Sequence, residues 1–405
     1  MITVEEARKI ILKCVKPLGA VSVDLREASG RVLSEDVVAS EAIPPFDNSA
    51  MDGYAVRAKD VLTGVRTLRV VEEIPAGKVA TKTLKTGQAM RIMTGAMIPE
   101  GADAVIPLEK VEVNGTQVKV LKEVRVGENI RKAGGDIQPG TVLLKKGRRL
   151  LPADIGVLAS LGYSKVKVAE QPRVAILSTG DELLEIGKPL EPGKIRNSNS
   201  VALSSLLKSF GAVPIDLGIA KDRKGEIEQK IILITSHQLP ITNILVTIGG
   251  VSVGDYDFVQ EVLKEMGMEV LFWKVSVKPG KPLLFGRLQD TLVFGLPGNP
   301  VSTMVTSELF IKPALYKMMG RDWEPNIVRA TLRGKPLKRK DEREWYVTAI
   351  TEYQDGRFVT TPTSGQGSSL LTSFSSANSL IIMKMDAEEY KEGDEVPAMF
   401  LEMRN

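Results

Sequence analysis

The sequence predicts a multidomain α/β plus β protein, with a doubly wound, mostly parallel sheet domain, a β-rich inserted domain and a small β module at the C-terminus. Three observations predict it. A chain of 405 residues exceeds what one ordinary core organises, and such chains divide into domains of ~100–150 residues. Between about residues 172 and 322, apolar strands alternate with helical stretches, the pattern of a parallel sheet covered on both faces. Short runs of alternating polarity lie on either side, from Pro44 to about Gly140 and again after Trp323, and these read as strands.

The elements follow in order. Thr3 and Glu6 form a capping-box pattern, so a helix is expected from Val4 to about Lys16, ended by Pro17 and Gly19. Its apolar face, Ala7, Ile10, Ile11, Cys14 and Val15, assigns Cys14 to core packing. In the β-rich stretch, "LRVVEEI" reads as a strand and "VEVNGTQVKV" as a hairpin turning at Asn114-Gly115. "LLPADIGVLASLGYSKVKV" returns to helix and strand. Then "RVAILSTGDEL", "AVPIDLGIAKD", "NILVTIGGVSVGDYD" and "TLVFGLPGNPVS" are each an apolar strand running into a polar turn. Helical stretches separate or follow them, the last being "VSTMVTSELFIKPALYKMMG". In a parallel sheet all four turns share the carboxyl end, where ligands bind. After Trp323 the helices are expected to stop; "IVRATLRG", "EWYVTAITEYQDGRFVTTP" and "NSLIIMKM" read as strands, with a Ser/Gly stretch between.

Composition narrows the function. Hydrophobic content of 43% and charged content of 26% are those of a globular protein. The net charge of +4 comes from well-mixed residues without a long basic block, which argues against nucleic acid as a partner. No apolar run approaches the ~20 residues of a membrane span. "MITVEEARKI" carries acids where a signal peptide would be basic and then apolar, so a cytoplasmic location is expected. A single Cys and a single His exclude an intrachain disulfide and a Cys/His zinc site. His237 reads as a helix-end or surface residue. Any metal would be held by oxygen, which suits Mg²⁺.

Several turns carry candidate chemistry. "IPPFDNSAMDGYAV" is a loop that holds Asp47 and Asp52 among Phe46, Met51, Tyr54 and Val56. In "TIGGVSVGDYD", Gly249, Gly250 and Gly254 permit close backbone approach to an anion, and Asp255 and Asp257 suggest Mg²⁺ between protein and phosphate. The competing reading is that these aspartates cap the helix beginning at Phe258. "FWKVSVKPGKPLLF" places Lys274, Lys278 and Lys281 around a Pro-Gly turn, either an ordinary basic turn or a site for an oxyanion or diphosphate. "STGDEL" sets Glu182 just past a strand, where it, or Asp181, would otherwise cap a helix. "GLPGNPVS" puts Ser302 in the first turn of a helix, and "RIMTGAMIPEGADAVIP" contributes Thr94 and Gly95.

Together, "PPFDNSAMDGYAV", "MTGAMIPEGADAVIPLE", "STGDEL", "GKIRNSNS", "GGVSVGDYDF", "KPGKPLLFG" and "GLPGNPVS" stand in the order of one family. The chain resembles, over essentially its whole length, the molybdopterin molybdenumtransferases, the family of the gephyrin C-terminal domain. The resemblance implies an elongated homodimer with four subdomains per chain. Residues 1–20 and 171–322 would form the molybdopterin-binding sheet domain, and 21–43 with 141–170 a linking and dimerisation subdomain. Residues 44–140 would be the inserted domain and 323–405 a C-terminal β-barrel. The implied reaction takes adenylylated molybdopterin and molybdate (or tungstate), with Mg²⁺, to molybdenum cofactor and AMP. Dithiolene sulfurs of the substrate capture the metal, which suits a chain so poor in cysteine. The site would lie where the sheet domain of one subunit faces the insertion of the other.

Carried over by position, the implied catalytic residues are Asp52, Thr94, Glu182, Asp222, Asp257, Lys274 and Lys278. Substrate binding falls to Gly249, Gly250, Ser252, Gly254, Asp255, Lys281, Pro297 and Asn299. Molybdate falls to Lys278, Lys281, Ser302, Arg343 and Ser368, and Mg²⁺ to Glu182 and Asp257. The molybdopterin adenylyltransferase is the protein partner the resemblance suggests. Two positions depart from the family pattern: the "GDYDF" order of the glycine turn, and Val347, where a second arginine is common. Competing readings are the adenylyltransferase itself, which lacks the insertion and barrel, and a non-enzymatic scaffold.

Overall fold

A computed structural model describes residues 1–62, 66–236, 242–250, 258–339 and 341–401. The four predicted strands, Arg173–Thr179, Val213–Ala220, Ile244–Ile248 and Thr291–Leu296, lie side by side and parallel. The reason is visible in their side chains: every residue of Ile244–Ile248 is buried, as a strand covered on both faces requires. Helices Val4–Cys14, Ser198–Ser209, Pro300–Thr306 and Lys312–Met318 share a core on one face, and Lys224–Thr235 and Phe258–Glu265 share one on the other. The domain is therefore doubly wound.

Two strands were not foreseen. Leu284–Leu288 and Glu269–Trp273 continue the sheet in antiparallel sense beyond Thr291–Leu296. Phe272, Phe285 and Phe294 stack across these strands at 5.4 and 4.9 Å between ring centres, binding the added edge to the core.

The N-terminal helix has the expected capping box, with the Glu6 N–H donating to Thr3 Oγ1 at 3.1 Å. It ends at Cys14 rather than Lys16, because Pro17 disfavours helical geometry at the residue before it. The half-buried Cys14 packs against the main core, as its place on the apolar face predicts. The predicted long helix after Asn299 is instead Pro300–Thr306, a π segment Ser307–Ile311, and Lys312–Met318. Pro313 cannot donate to the Leu309 carbonyl one turn back, and Arg8 Nε donates to that carbonyl at 3.4 Å.

Residues of the insertion form a separate six-stranded sheet with Gly53–Val56 near one side, between Gln88–Ile92 and Ala104–Pro107. Its hairpin turns at Gly115-Thr116, one residue later than expected, and φ of +59° at Gly115 suits the first central position of a type II′ turn. Two strand pairs, Ala20–Asp24 with Lys165–Ala169 and Val37–Val38 with Val142–Leu144, lie around a small core that includes Leu33 and Leu158.

Toward the C-terminus, Ile327–Leu332, Glu344–Gln354, Arg357–Pro362, Ser379–Met383 and Glu395–Phe400 form a ring, which closes by pairing Glu344–Gln354 with Ser379–Met383. The Asp355-Gly356 turn is as read, with φ of +49° and +82°. Val347 is buried in the barrel core, a side chain for packing rather than for an anion. The expectation that helices stop after Trp323 is overturned by Leu371–Ser376, within the Ser/Gly stretch. Phe374 explains it, since that side chain is buried in the core of the sheet domain. Among the described residues, no helix is long and apolar enough to cross a membrane.

Candidate functional site

All four predicted turns reach one cleft of about 640 Å³ at the carboxyl ends of the parallel strands. Thr179, Gly180 and Glu182 follow the first strand, Asp222 the second, Gly249 and Gly250 the third, and Pro297 to Pro300 the fourth. Of the predicted residues it thus assembles Glu182, Asp222, Gly249, Gly250, Pro297 and Asn299. Ser252, Gly254, Asp255 and Asp257, like His237, lie outside the described residues.

Glycine is required where the third turn begins. A Cβ on Gly249 would stand 2.7 Å from the Thr179 carbonyl oxygen, and one on Gly250 2.4 Å from Val259 Cγ2; both have positive φ. At Gly180 the space a Cβ would fill is taken by the Glu182 carboxylate, 2.5 Å away at its nearest oxygen. Asp222 Oδ2 accepts from the Asp181 N–H at 3.2 Å, tying the first turn to the second. Neither Asp181 nor Glu182 caps a helix, which corrects that alternative: the chain runs into Leu183–Leu184, paired with Ile195–Arg196.

Asn197 and Asn199 also line the cleft and had been given no role. Asn197 Oδ1 accepts from Ser178 Oγ at 3.1 Å and caps the next helix, while Asn199 Nδ2 donates to the Gly298 carbonyl at 2.6 Å. The signal was "NSNS" ahead of an apolar helix, where alternate asparagines give one cap and one further amide.

The predicted cationic and hydroxyl residues form a second group. Lys278 Nζ lies 3.7 Å from Asp341 Oδ2 and 3.5 Å from the Trp345 ring centre, and Arg343 binds the same carboxylate at 2.6 Å. Lys274 Nζ stands 3.7 Å over the Trp273 ring. The exposed Lys281 accepts through its carbonyl from Val275 N at 3.0 Å and Leu283 N at 2.9 Å, which shapes its turn. Ser302, in the first turn of Pro300–Thr306, is buried, and the Ser368 carbonyl accepts from the neighbouring Val301 N–H at 3.0 Å. None of these six side chains lines the cleft, although their chain neighbours Pro282, Pro300 and Ser369 do.

Asp52 and Thr94 form the third group. Asp52 Oδ1 accepts from the Thr94 N–H and Oγ1, both at 2.7 Å, and these bonds hold its carboxyl below the usual carboxylate range. Both residues are exposed, and no residue of 44–140 lines the cleft among those described. Phe46 is 37% exposed, whereas Tyr54 and Val56 are buried in the core of the inserted sheet. Polar bonds anchor the start of the loop: Lys132 Nζ and Ala133 N donate to Asp47 at 2.7 and 2.8 Å, and Gly134 N donates to the Pro44 carbonyl at 2.9 Å.

Among the described residues no three His, Cys, Asp or Glu side chains converge as a complete metal site. The carboxylates lining the cleft there are Glu182 and Asp222. That oxygen donor set fits Mg²⁺, which takes one or two protein carboxylates and completes its shell with water and substrate phosphate.

Comparison with known proteins accounts for nearly all of the chain. Residues 2–162 match the family described as MoeA N-terminal region (domain I and II), 175–317 the probable molybdopterin binding domain, and 330–401 the MoeA C-terminal region (domain IV). The chain is 37% identical over 400 residues to a molybdopterin molybdenumtransferase of Haemophilus influenzae, covering 98% of both. It is 37% identical over 412 residues to that of Bacillus subtilis, covering 100% of this chain and 95% of the relative. A crystal structure of the molybdopterin biosynthesis moeA protein of Pyrococcus horikoshii matches with a TM-score of 0.84 at 34% identity, covering 99% of this chain and 100% of that one.

Proposed function

The chain belongs to the molybdopterin molybdenumtransferase family, and from that premise we propose that it inserts molybdate or tungstate into adenylylated molybdopterin with Mg²⁺-dependent release of AMP. It acts in molybdenum cofactor biosynthesis. The observation that carries the reading is the convergence of four strand-end turns, two carboxylates and a glycine turn on one cleft.

Gly249 and Gly250 let the backbone come close to a diphosphate. Glu182 and Asp222, with Asp257 from the glycine turn, are the residues that would hold Mg²⁺. Held there, the ion would supply positive charge to the phosphates. Lys274, Lys278 and Lys281 add positive charge, while Pro297 and Asn299 shape the cleft wall. Ser252, Gly254 and Asp255 extend the glycine turn along the same substrate. Lys278, Lys281, Ser302, Arg343 and Ser368 would receive the oxyanion.

In this reading the protein is a cytoplasmic homodimer with the four subdomains expected from its sequence. Asp52 and Thr94 of one subunit face the cleft of the other. The molybdopterin adenylyltransferase, which makes the adenylylated substrate, is the natural protein partner.

The test follows AMP release from adenylylated molybdopterin and Mg²⁺, with and without molybdate. Release should depend on molybdate, and Glu182→Ala should slow it by about a hundredfold, the order seen when a preorganised charge-stabilising group is lost. Tight pterin binding without AMP release under any oxyanion would move the function to a carrier or scaffold.

A further inference from the structure

Asp341 sits where the barrel meets the sheet domain, and nothing above gives it a part in the reaction. Its carboxylate accepts from the Arg343 backbone N–H at 3.1 Å, from Nε and Nη2 of the same arginine at 2.9 and 2.6 Å, and from Trp345 Nε1 at 3.1 Å. Lys278 Nζ lies 3.7 Å from its Oδ2. Strand pairing creates this cluster: Val277–Lys278 runs parallel to the start of Glu344–Gln354, with Lys278 the register partner of Trp345. The ammonium therefore rests on the indole face, 3.5 Å from the ring centre.

Two cations from different domains thus share one anion. Asp341 occupies two of the five guanidinium donors and leaves the others in a fixed plane. The indole face restricts the lysine in turn. The hydrogen bonds from Arg343 also keep this carboxyl far below the usual carboxylate range, so the arrangement is charged at any neutral pH.

We propose that Asp341 is a positioning residue that holds Arg343 and Lys278 side by side as one preformed receptor for the tetrahedral oxyanion substrate. The proposal rests on the reading of Lys278 and Arg343 as oxyanion contacts. A free arginine and a free lysine would each lose rotamer freedom on binding; a pair already fixed loses less. The negative charge of Asp341 works against anion binding, so the sign of its effect is the test.

AMP release by the full-length protein is measured against molybdate concentration, alongside affinity for the adenylylated pterin. In Asp341→Ala the half-saturating molybdate should rise about tenfold, the scale of losing charge-assisted bonds and ordered side chains, with pterin affinity unchanged. Asp341→Asn, which keeps the shape and some hydrogen bonds, should fall between; it carries the comparison alone if the alanine variant does not fold. An unchanged or lower half-saturating molybdate in the Asp341 variants overturns the proposal, the lower value meaning that Asp341 competes with substrate for its cations. Lys278→Ala and Arg343→Ala separate the two ideas. If both leave the molybdate dependence unchanged, the oxyanion reading fails and the proposal with it. If both raise it while the Asp341 variants do not, positioning alone fails.

Discussion

Asp52 takes two hydrogen bonds from one residue, the Thr94 N–H and hydroxyl, on a single carboxylate oxygen. Thr94→Val removes the hydroxyl and keeps the N–H, so the Asp52 carboxyl should titrate higher, nearer the usual range; a site-resolved NMR titration with no upward shift would refute this. The sign for stability follows. A carboxyl held low in the folded state contributes stability present above its unfolded value and lost as pH falls through the lowered folded value. In Thr94→Val that acid loss should be smaller and should end at higher pH, its onset at the unfolded value being unchanged. Glu182, Gly249 and Gly250 were legible in short motifs and Asp222 only through the family resemblance, and all four reach the cleft. Asp341 was not legible, because "KDERE" reads as a solvated charge run. Its partners Lys278 and Trp345 become neighbours only through strand pairing. Asn197 and Asn199 lay in a quoted motif, yet their amides serve the cleft wall only once the helix after them is docked.

Gly53 shows what an element demands of one position. It opens the strand Gly53–Val56 with neighbours on both sides, and a Cβ there would stand 2.0 Å from the Ile106 carbonyl oxygen. Backbone cannot yield as a flexible side chain would. Gly53→Ala should therefore destabilise the inserted sheet by about 2–3 kcal/mol and displace the adjacent Asp52; urea unfolding with a wild-type midpoint would contradict it. In the sequence a glycine so near Asn48 and Ser49 looks like a turn former, yet Gly53 opens a strand. The parallel strands were legible from unbroken apolar runs such as "ILVTI". The antiparallel edge was not, since Gly286 and Arg287 break the apolar run in "LLFGRL". That glycine too is a matter of space: a Cβ would lie 2.2 Å from the Glu269 carbonyl oxygen. Pro313 was a readable mark of the broken helix, whereas Leu371–Ser376 owes its place to one buried phenylalanine.

For the whole molecule, the separation of the Asp52–Thr94 pair from the cleft within one chain is what a site shared between two subunits would produce. In the homodimer proposed above, two-fold symmetry turns this into a count. Asp52→Ala and Glu182→Ala, each inactive, should on mixing and subunit exchange recover about one quarter of wild-type activity, because half the dimers are mixed and each has one intact composite site. Activity that stays at the level of the separate variants would place both residues in one chain's site. Changes of texture along the chain made the β-rich and α/β regions legible. How those regions face one another was not, because pairings such as Val277–Lys278 with Glu344–Gln354 have no local signature.

The bonds from the first helix also have a clock in them. Arg8 donates to Leu309 and Lys317 to Leu12, partners 301 and 305 positions apart. A ribosome adding about 5–20 residues per second leaves that helix waiting roughly 15–60 s for the surface it covers. The inserted sheet, with its own cores, can close during the wait, whereas Val4, Ala7 and Ile11 belong to a core that is complete only with Lys312–Met318. The helix Val4–Cys14 thus completes these bonds only after about 300 further residues have been made.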